Sequence, residues 1–583
     1  MNTHTVARRL GLALVASLVV VASVRAATPG PPSATLVLRH ATLWTGVGSG
    51  TEAGSVALLH GRIVAVGHDS EVAQWIGADT EVIDLDGAMA VPGFIDNHVH
   101  FSSAARLLLG VNLLDVDNEA SLVAAVREAD ARMPQGAWLV GGDWSAYQRW
   151  PQGAERPREG DIELFEPQRS MIDEFTAARP MLLSRFDRQA WFANGAALAA
   201  AGIADDEPDP PGGAFGRDAN GQLTGMLWGS ASAAVRAAMP EPSHAQRVAE
   251  THAALQRIRE NGVTTVHDMS PGYQLRIFQE LLARDELTVR VHYRPMISEY
   301  TRLADVGVMS GFGNSWIRLG AVKGHIDGIM GNSSALFREP YEHQPDSRGR
   351  LRDVMFPEGN LQRLMNEADA AGLQITVHAI GDAANEMLLD MVEEMVEVNG
   401  ERDRRFRVVH AQVLHPRDIP RFEELDLIAE VQPFHAIDDM RWMEQRIGDR
   451  AQGAYNFKSL LDSGATLSFG SDWPGTNAAW YPISPVLGIY AAVTRKTVNG
   501  TPEGGWFPEQ RIGVEDALRA YTVNNAFAGF EEEDKGTLEV GKLADLTVLD
   551  RDLLSIPADE IKEAQVLYTI VDGRIVFAAA SAR

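Results

Sequence analysis

Two histidines one residue apart close an apolar run, Val91-Pro92-Gly93-Phe94-Ile95-Asp96-Asn97-His98-Val99-His100. If Gly93–His98 is a strand, His98 and His100 project to one face, because side chains alternate with period two. Neutral imidazole is the commonest side-chain metal ligand, and two imidazoles carried on one rigid element lower the ordering cost of a site. An isolated pair of this kind also fits a solvated strand end, so its meaning depends on what lies downstream.

Downstream, apolar runs again end in polar residues. His267 and Asp268 follow one such run; Lys323 ends another, with His325 and Asp327 beyond it. His378 is followed by Gly381-Asp382, His410 ends the next run, Gln432 and His435 the next, and Asp472 stands within Gly470-Ser471-Asp472. Four histidines, a lysine and an aspartate form an N/O donor set suited to one or two divalent metals.

The elements that must position these groups are strands. Eight candidates stand out: Gly93–His98, Val263–His267, Val289–Arg294, Ile317–Lys323, Gln374–Ala379, Phe406–His410, Leu427–Gln432 and Thr466–Ser471. Between them run helical patterns, the rhythm of βα units. Eight such units close a (β/α)8 TIM barrel, whose site lies at the C-terminal strand ends. The expectation is α/β, with the barrel over 93–101 and 251–530.

The first two strands are separated by far more chain than one crossover needs. Residues 102–250 are therefore expected to form an inserted lid or substrate subdomain. Its Trp138, Trp144, Trp150, Trp191 and Trp228 suit an apolar pocket and a subdomain core equally. Both chain ends alternate like short antiparallel strands, so 28–92 and 531–583 are expected to meet in a small composite β-sandwich domain.

At this point the chain resembles the amidohydrolase superfamily, and within it the amidohydrolase-3 (YtcJ-like) branch. The matching stretches are VPGFIDNHVH (91–100), GVTTVHD (262–268), LGAVKGHIDG (319–328), GLQITVHAIGDAA (372–384), VVHAQ (409–413), VQPFH (431–435), FGSDWP (469–474) and GKLADLTVLD (541–550). The resemblance implies that His98 and His100 bind the more buried metal, and that His378 and His410 bind a second. Lys323 matches a lysine that many members carry carboxylated as a bridge between two metals, and Asp472 matches the last ligand, which also takes the proton from the attacking water. His435 would donate to the substrate carbonyl. His267, His325, Asp327, Asp382 and Gln432 stand open between supporting and structural roles, with Asp382 a candidate to orient a ligand histidine and Asp327-Gly328 equally a turn.

The chemistry makes sense of these residue types. A bridging carbamate needs a lysine desolvated enough to react with carbon dioxide. Metal coordination lowers the pKa of water from ~15.7 toward ~7, and a neighbouring carboxylate accepts the proton and passes it to a leaving amine. The sequence also departs from the branch. Where many relatives read D-G-H-S-A-W-x-N, this chain reads Asp187-Arg188-Gln189-Ala190-Trp191-Phe192-Ala193-Asn194, with Gln189 in place of histidine. Arg407-Val408-Val409-His410-Ala411 lacks the glutamate that often precedes the histidine. Both differences leave the metal chemistry intact and make substrate transfer by analogy unsafe.

Composition bounds the rest. At 583 residues, 45% hydrophobic and 22% charged, the chain suits a large soluble enzyme domain with appendages. With 79 acidic against 52 basic residues the formal charge is −27, which argues against nucleic acid as a partner. There is no cysteine, which excludes disulfides, thiolate ligands, a cysteine nucleophile and a lipoprotein anchor. Residues 1–27 read as an export signal: Arg8-Arg9, an apolar run Leu10–Val24, then Val24-Arg25-Ala26 before Ala27. That pattern points to a periplasmic or secreted enzyme with no membrane attachment after cleavage.

The expectation is an exported hydrolase cleaving a C–N bond of an amide, N-acyl or formamide-like small molecule, with one or two divalent ions (Zn first, Mn or Fe as alternatives). Three other readings stay open. An ester or lactone hydrolase would use the same metals; a mononuclear deaminase-like site would leave Lys323 without a metal role; a non-catalytic binding barrel would lack ligands, and all six core positions are filled. The sequence leaves oligomeric state open, a homo-oligomer included.

Overall fold

The computed structural model describes residues 33–113, 116–133, 136–144, 165–185, 190–475 and 482–582. The proposed signal, Trp150 and Gln189 lie outside the described residues.

The apolar runs form the strands of a parallel barrel: β1 (Phe94–Val99), β2 (Val263–Asp268), β3 (Arg290–Tyr293), β4 (Ile317–Leu319 and Val322–His325), β5 (Ile375–Ala379), β6 (Arg407–His410), β7 (Ile428–Val431) and β8 (Thr466–Phe469). Strands covered on both faces read as near-continuous apolar runs, which is why these segments stand out in the sequence. β1 to the first half of β4 pair in one run, and the second half of β4 to β8 in another.

The break in β4 has a local cause. At Gly320 a Cβ would lie 2.1 Å from the buried His292 ring, so the strand passes close to β3 and resumes two residues later. Lys323 then donates its backbone N–H to Pro295 O at 2.8 Å, carrying the pairing across the break. The circle closes between β8 and β1, where Asp472 donates to His98 O (2.8 Å) and His100 to Trp473 O (2.7 Å).

Strands from both chain ends form one continuous eight-stranded sheet, in place of the two stacked sheets of a sandwich. The strand Leu36–Leu43 shifts register between Leu38 and Ala41, giving its first half to Glu81–Asp84 and its last two residues to Met89–Pro92. Met89–Pro92 in turn pairs antiparallel with Leu546–Leu549. This sheet meets the barrel floor through Arg290. Its Nε and Nη2 donate to Asp545 at 2.6 and 2.9 Å, and Nη2 also reaches Asp572 at 3.1 Å.

The chain between β1 and β2 builds a six-stranded sheet with apolar clusters of its own. Trp144 and Trp138 are buried in those clusters, and Trp228 and Trp191 pack against them, so the core role accounts for these four. Asn194, from the divergent segment, accepts from Met181 N (2.9 Å) and Ala197 N (3.0 Å), capping the short helix Gly195–Ala200.

Arg290→Met leaves the buried Asp545 carboxylate unpaired, a change that costs ~3–5 kcal/mol in comparable buried pairs. Denaturant unfolding is expected to show a destabilisation of that order; an unchanged midpoint would mean that the ion pair does not hold the sheet to the barrel.

Candidate active site

His98 is the most enclosed of the site histidines. Its Nδ1 lies 2.8 Å from Glu430 Oε1 on β7. A carboxylate that also accepts from Arg294 (Nη1, 2.8 Å) and Arg407 (Nη1, 3.4 Å) is ionised and accepts only, so the shared proton belongs to His98 Nδ1. Burial raises the Glu430 carboxyl, but Arg294 and His98 outweigh it and hold it below its ordinary range. Burial and the nearby Lys323 keep the His98 imidazole below its usual pKa, hence neutral.

With its proton on Nδ1, His98 presents a bare lone pair at Nε2. That nitrogen stands 3.3 Å from Asp472 Oδ1, and His100 Nε2 approaches the same oxygen at 3.2 Å. Burial would raise the Asp472 carboxyl, yet it is held well below the carboxylate range, with a hydrogen bond from His100 contributing. A second group, His410, His435 and Asp472, also brings its ligand atoms within 4.8 Å of one another. His435 Nε2 lies 4.0 Å from Asp472 Oδ2, so the two carboxylate oxygens of Asp472 serve the two groups.

His410 repeats the logic of His98. Its Nδ1 lies 2.7 Å from Gln432 Oε1, an acceptor, and this leaves Nε2 as the free donor of a lone pair. Its backbone is left-handed (φ 74°), as is that of Asp472 (φ 55°). Such conformations in non-glycine residues cost of order 1–3 kcal/mol and cluster at functional sites. At His410 the turn breaks strand alternation and lets the ring reach to 4.6 Å from His378 and 5.3 Å from His98.

Lys323 is 1% exposed, and its Nζ has no hydrogen-bond partner among the described residues. Burial pushes its pKa down to about 7 against the pull of Glu430 and Asp472, so the free amine is accessible at neutral pH. An orphaned buried amine, two imidazoles with defined lone pairs and an ionised carboxylate are a donor set that fits divalent metal.

Several expected residues take other places. His378 donates Nε2–H to Gly328 O at 2.9 Å, leaving Nδ1 as its lone pair. His435, expected as a carbonyl donor, brings a ligand atom within 4.8 Å of those of His410 and Asp472. The carboxylate beside His378 is Asp327 (3.3 Å), not Asp382, which instead accepts from Arg338 N at 2.9 Å. Asp327 is more than a turn residue: it accepts from the backbone N–H groups of Leu336 (2.8 Å), Ile380 (3.1 Å) and Gly381 (3.0 Å), tying the loop after β4 to the end of β5.

His267 lies beneath the site. Its Nδ1 accepts from Arg294 and Arg407, both at 2.8 Å, so it is a neutral part of the barrel interior and not a ligand. Its pKa is held well below the ordinary value by burial and the neighbouring His292. His325 is half-buried, 5.3 Å from the His378 ring. Asp268 accepts from Phe101 N (3.0 Å), capping the start of the helix that follows His100.

Sequence reasoning missed Glu430, Arg294 and Asp96. Asp96 Oδ1 accepts from His98 N (3.1 Å) and Ser471 N (3.0 Å), joining β1 to the turn that carries Asp472. Burial pushes the Asp96 carboxyl up to about 7. The available signal was charge at alternate positions in runs otherwise apolar: Asp96 and His98 in β1, Glu430 and Gln432 in and after β7.

Comparison with known proteins agrees with this geometry. The family model described as the amidohydrolase family (Amidohydro_3) matches residues 81–577. The chain is 35% identical over 564 residues to Protein LONG AFTER FAR-RED 3 of Arabidopsis thaliana, covering 94% of this chain and 93% of that protein. It is 29% identical to the putative amidohydrolase YtcJ of Bacillus subtilis (92% and 98% covered). With N-substituted formamide deformylase of Arthrobacter pascens the identity is 28% (89% and 94% covered). Among solved structures, an uncharacterized metal-dependent hydrolase from Pyrococcus horikoshii OT3 superposes with a TM-score of 0.70 at 24% identity, over 90% of this chain and 99% of that one, and supports the fold. The chain belongs to the amidohydrolase family, and it is a metal-dependent hydrolase of carbon–nitrogen bonds other than peptide bonds.

Proposed function

We propose that the enzyme hydrolyses the C–N bond of an amide, N-acyl or formamide-like small molecule. The observation that carries this reading is the convergence of His98 Nε2 and His100 Nε2 on one oxygen of Asp472, with His435 at the other. The N-substituted formamide deformylase relative supports the substrate class.

His98, His100 and Asp472 would hold one divalent ion, Zn first; His410 and His378, the latter through Nδ1, would hold a second, and Lys323 as a carbamate would join them. When bound, such an ion supplies Lewis-acid polarisation of the carbonyl and lowers the pKa of water from ~15.7 toward ~7. Asp472 accepts the proton of the attacking water and delivers it to the departing nitrogen, a transfer for which an ionised carboxylate is suited. His435 orients the substrate carbonyl from the opposite side of Asp472. Support for the carbamate is the unpartnered Nζ of Lys323 in a site that favours its neutral amine. The enzyme is also proposed to act outside the cytoplasm, on the strength of Arg8-Arg9 and the run Leu10–Val24.

Asp472→Asn is expected to lower kcat by at least ~10²–10⁴, the scale of general acid–base catalysis, on paired amide and ester analogues. Near-normal turnover sinks the assignment of Asp472, and turnover of esters alone sinks the amide reading. Elemental analysis of tag-free protein is expected to give close to two metals per chain; one metal makes Lys323 a structural residue. N-terminal sequencing of exported protein is expected to begin at Ala27, and a chain retained intact in the cytoplasm overturns the export reading.

A further inference from the structure

Glu430 has no place in the chemistry above, yet it is fully buried and carries three charged or polar partners. We propose that Glu430 is the positioning residue that fixes the ring orientation and Nδ1–H tautomer of His98, and through them the metal affinity of the site. The proposal rests on the reading of His98 as a metal ligand.

The geometry leaves little freedom. Glu430 Oε1 receives His98 Nδ1 (2.8 Å) and Arg294 Nη1 (2.8 Å), and Arg407 Nη1 approaches Oε2 at 3.4 Å. Both guanidiniums also donate to His267 Nδ1 at 2.8 Å, which closes the loop Glu430–Arg294–His267–Arg407. Guanidinium has donors only, so Glu430 cannot rotate away from either arginine without leaving a buried cation unpaired. Its carboxylate therefore keeps a fixed place under His98.

An imidazole held by a carboxylate at Nδ1 is a better ligand at Nε2, because orientation and tautomer are settled before the ion arrives and the ring is more basic. Glu430 pairs across the β6–β7 ladder with Val409, and from that register position its carboxylate reaches His98 on β1.

The test uses the full chain stripped with chelator and reloaded with Zn²⁺ or Co²⁺. Glu430→Gln is expected to weaken Zn²⁺ binding by ~10–100-fold in competition with a chromophoric chelator, the range for loss of such supporting partners. The visible absorption of the Co²⁺ form is expected to shift with it. A merely structural role predicts a lower Tm for the metal-free variant with Zn²⁺ affinity within twofold of wild type, and that outcome overturns the proposal. If Glu430→Gln fails to fold, ¹⁵N-histidine spectra of metal-free wild type decide: protonated Nδ1 on His98 supports the proposal, and the Nε2–H tautomer overturns it. Failure of wild-type protein to bind Zn²⁺ at all refutes the metal-site reading itself, a result distinct from either.

Discussion

The structure depends on a charge that cannot leave. Glu430 sits in the barrel interior with water excluded, and a bare carboxylate there would cost several kcal/mol. Arg294 and Arg407 neutralise it from β3's end and from β6, and His98 completes its acceptor sites from β1. Three strands far apart in sequence are thereby bound to one group on a fourth. Two guanidiniums outnumber one carboxylate, and His267 meets the surplus by offering a lone pair to both. The neutrality of His267, and its unsuitability as a ligand, follow from that arrangement.

Above this floor the seam between β8 and β1 sets the position of Asp472. Gly470 is required there: a Cβ would fall 2.2 Å from Asn97 Oδ1 and 2.8 Å from Asp96 Oδ1. With that approach allowed, Asp96 receives Ser471 N, and Asp472 donates its own N–H to His98 O. Asn97 and Asn525 lock the same seam through Ser468, with Asn525 Nδ2 also reaching Ile95 O and Phe469 O. A glycine, two buried amides and one carboxylate thus force the left-handed turn that aims Asp472 at two histidines of the neighbouring strand.

Much of this was legible in the chain. All eight apolar runs are barrel strands, because a strand buried on both faces must be apolar almost throughout, and the polar residues at their ends mark the open face. The His98/His100 pair was legible for the same reason, since period-two spacing survives folding intact. What the sequence hid was pairwise geometry. Which histidine nitrogen carries a proton depends on an acceptor from elsewhere in the fold, so the hydrogen bond of His378 to Gly328 and the approach of His435 to Asp472 had no local signature. The role of Glu430 was not legible either, because the groups it reaches depend on how β7 is set against β6 and β1, a tertiary fact. The break in β4 was likewise invisible, arising from the ring of His292 on the preceding strand, β3.

The shared sheet at the two chain ends has a bearing on the order of folding. Met89–Pro92 leads directly into β1 with its His98/His100 pair, yet it is paired with Leu546–Leu549, contributed by the far end of the chain. During synthesis the strand that leads into the active site waits for a neighbour that emerges almost last. Contacts so distant along the chain carry a large loop-closure cost before they return any stability. The site is therefore among the last parts of the molecule to be braced, and a truncated chain would lose the brace of the first barrel strand before losing a single residue of the candidate site.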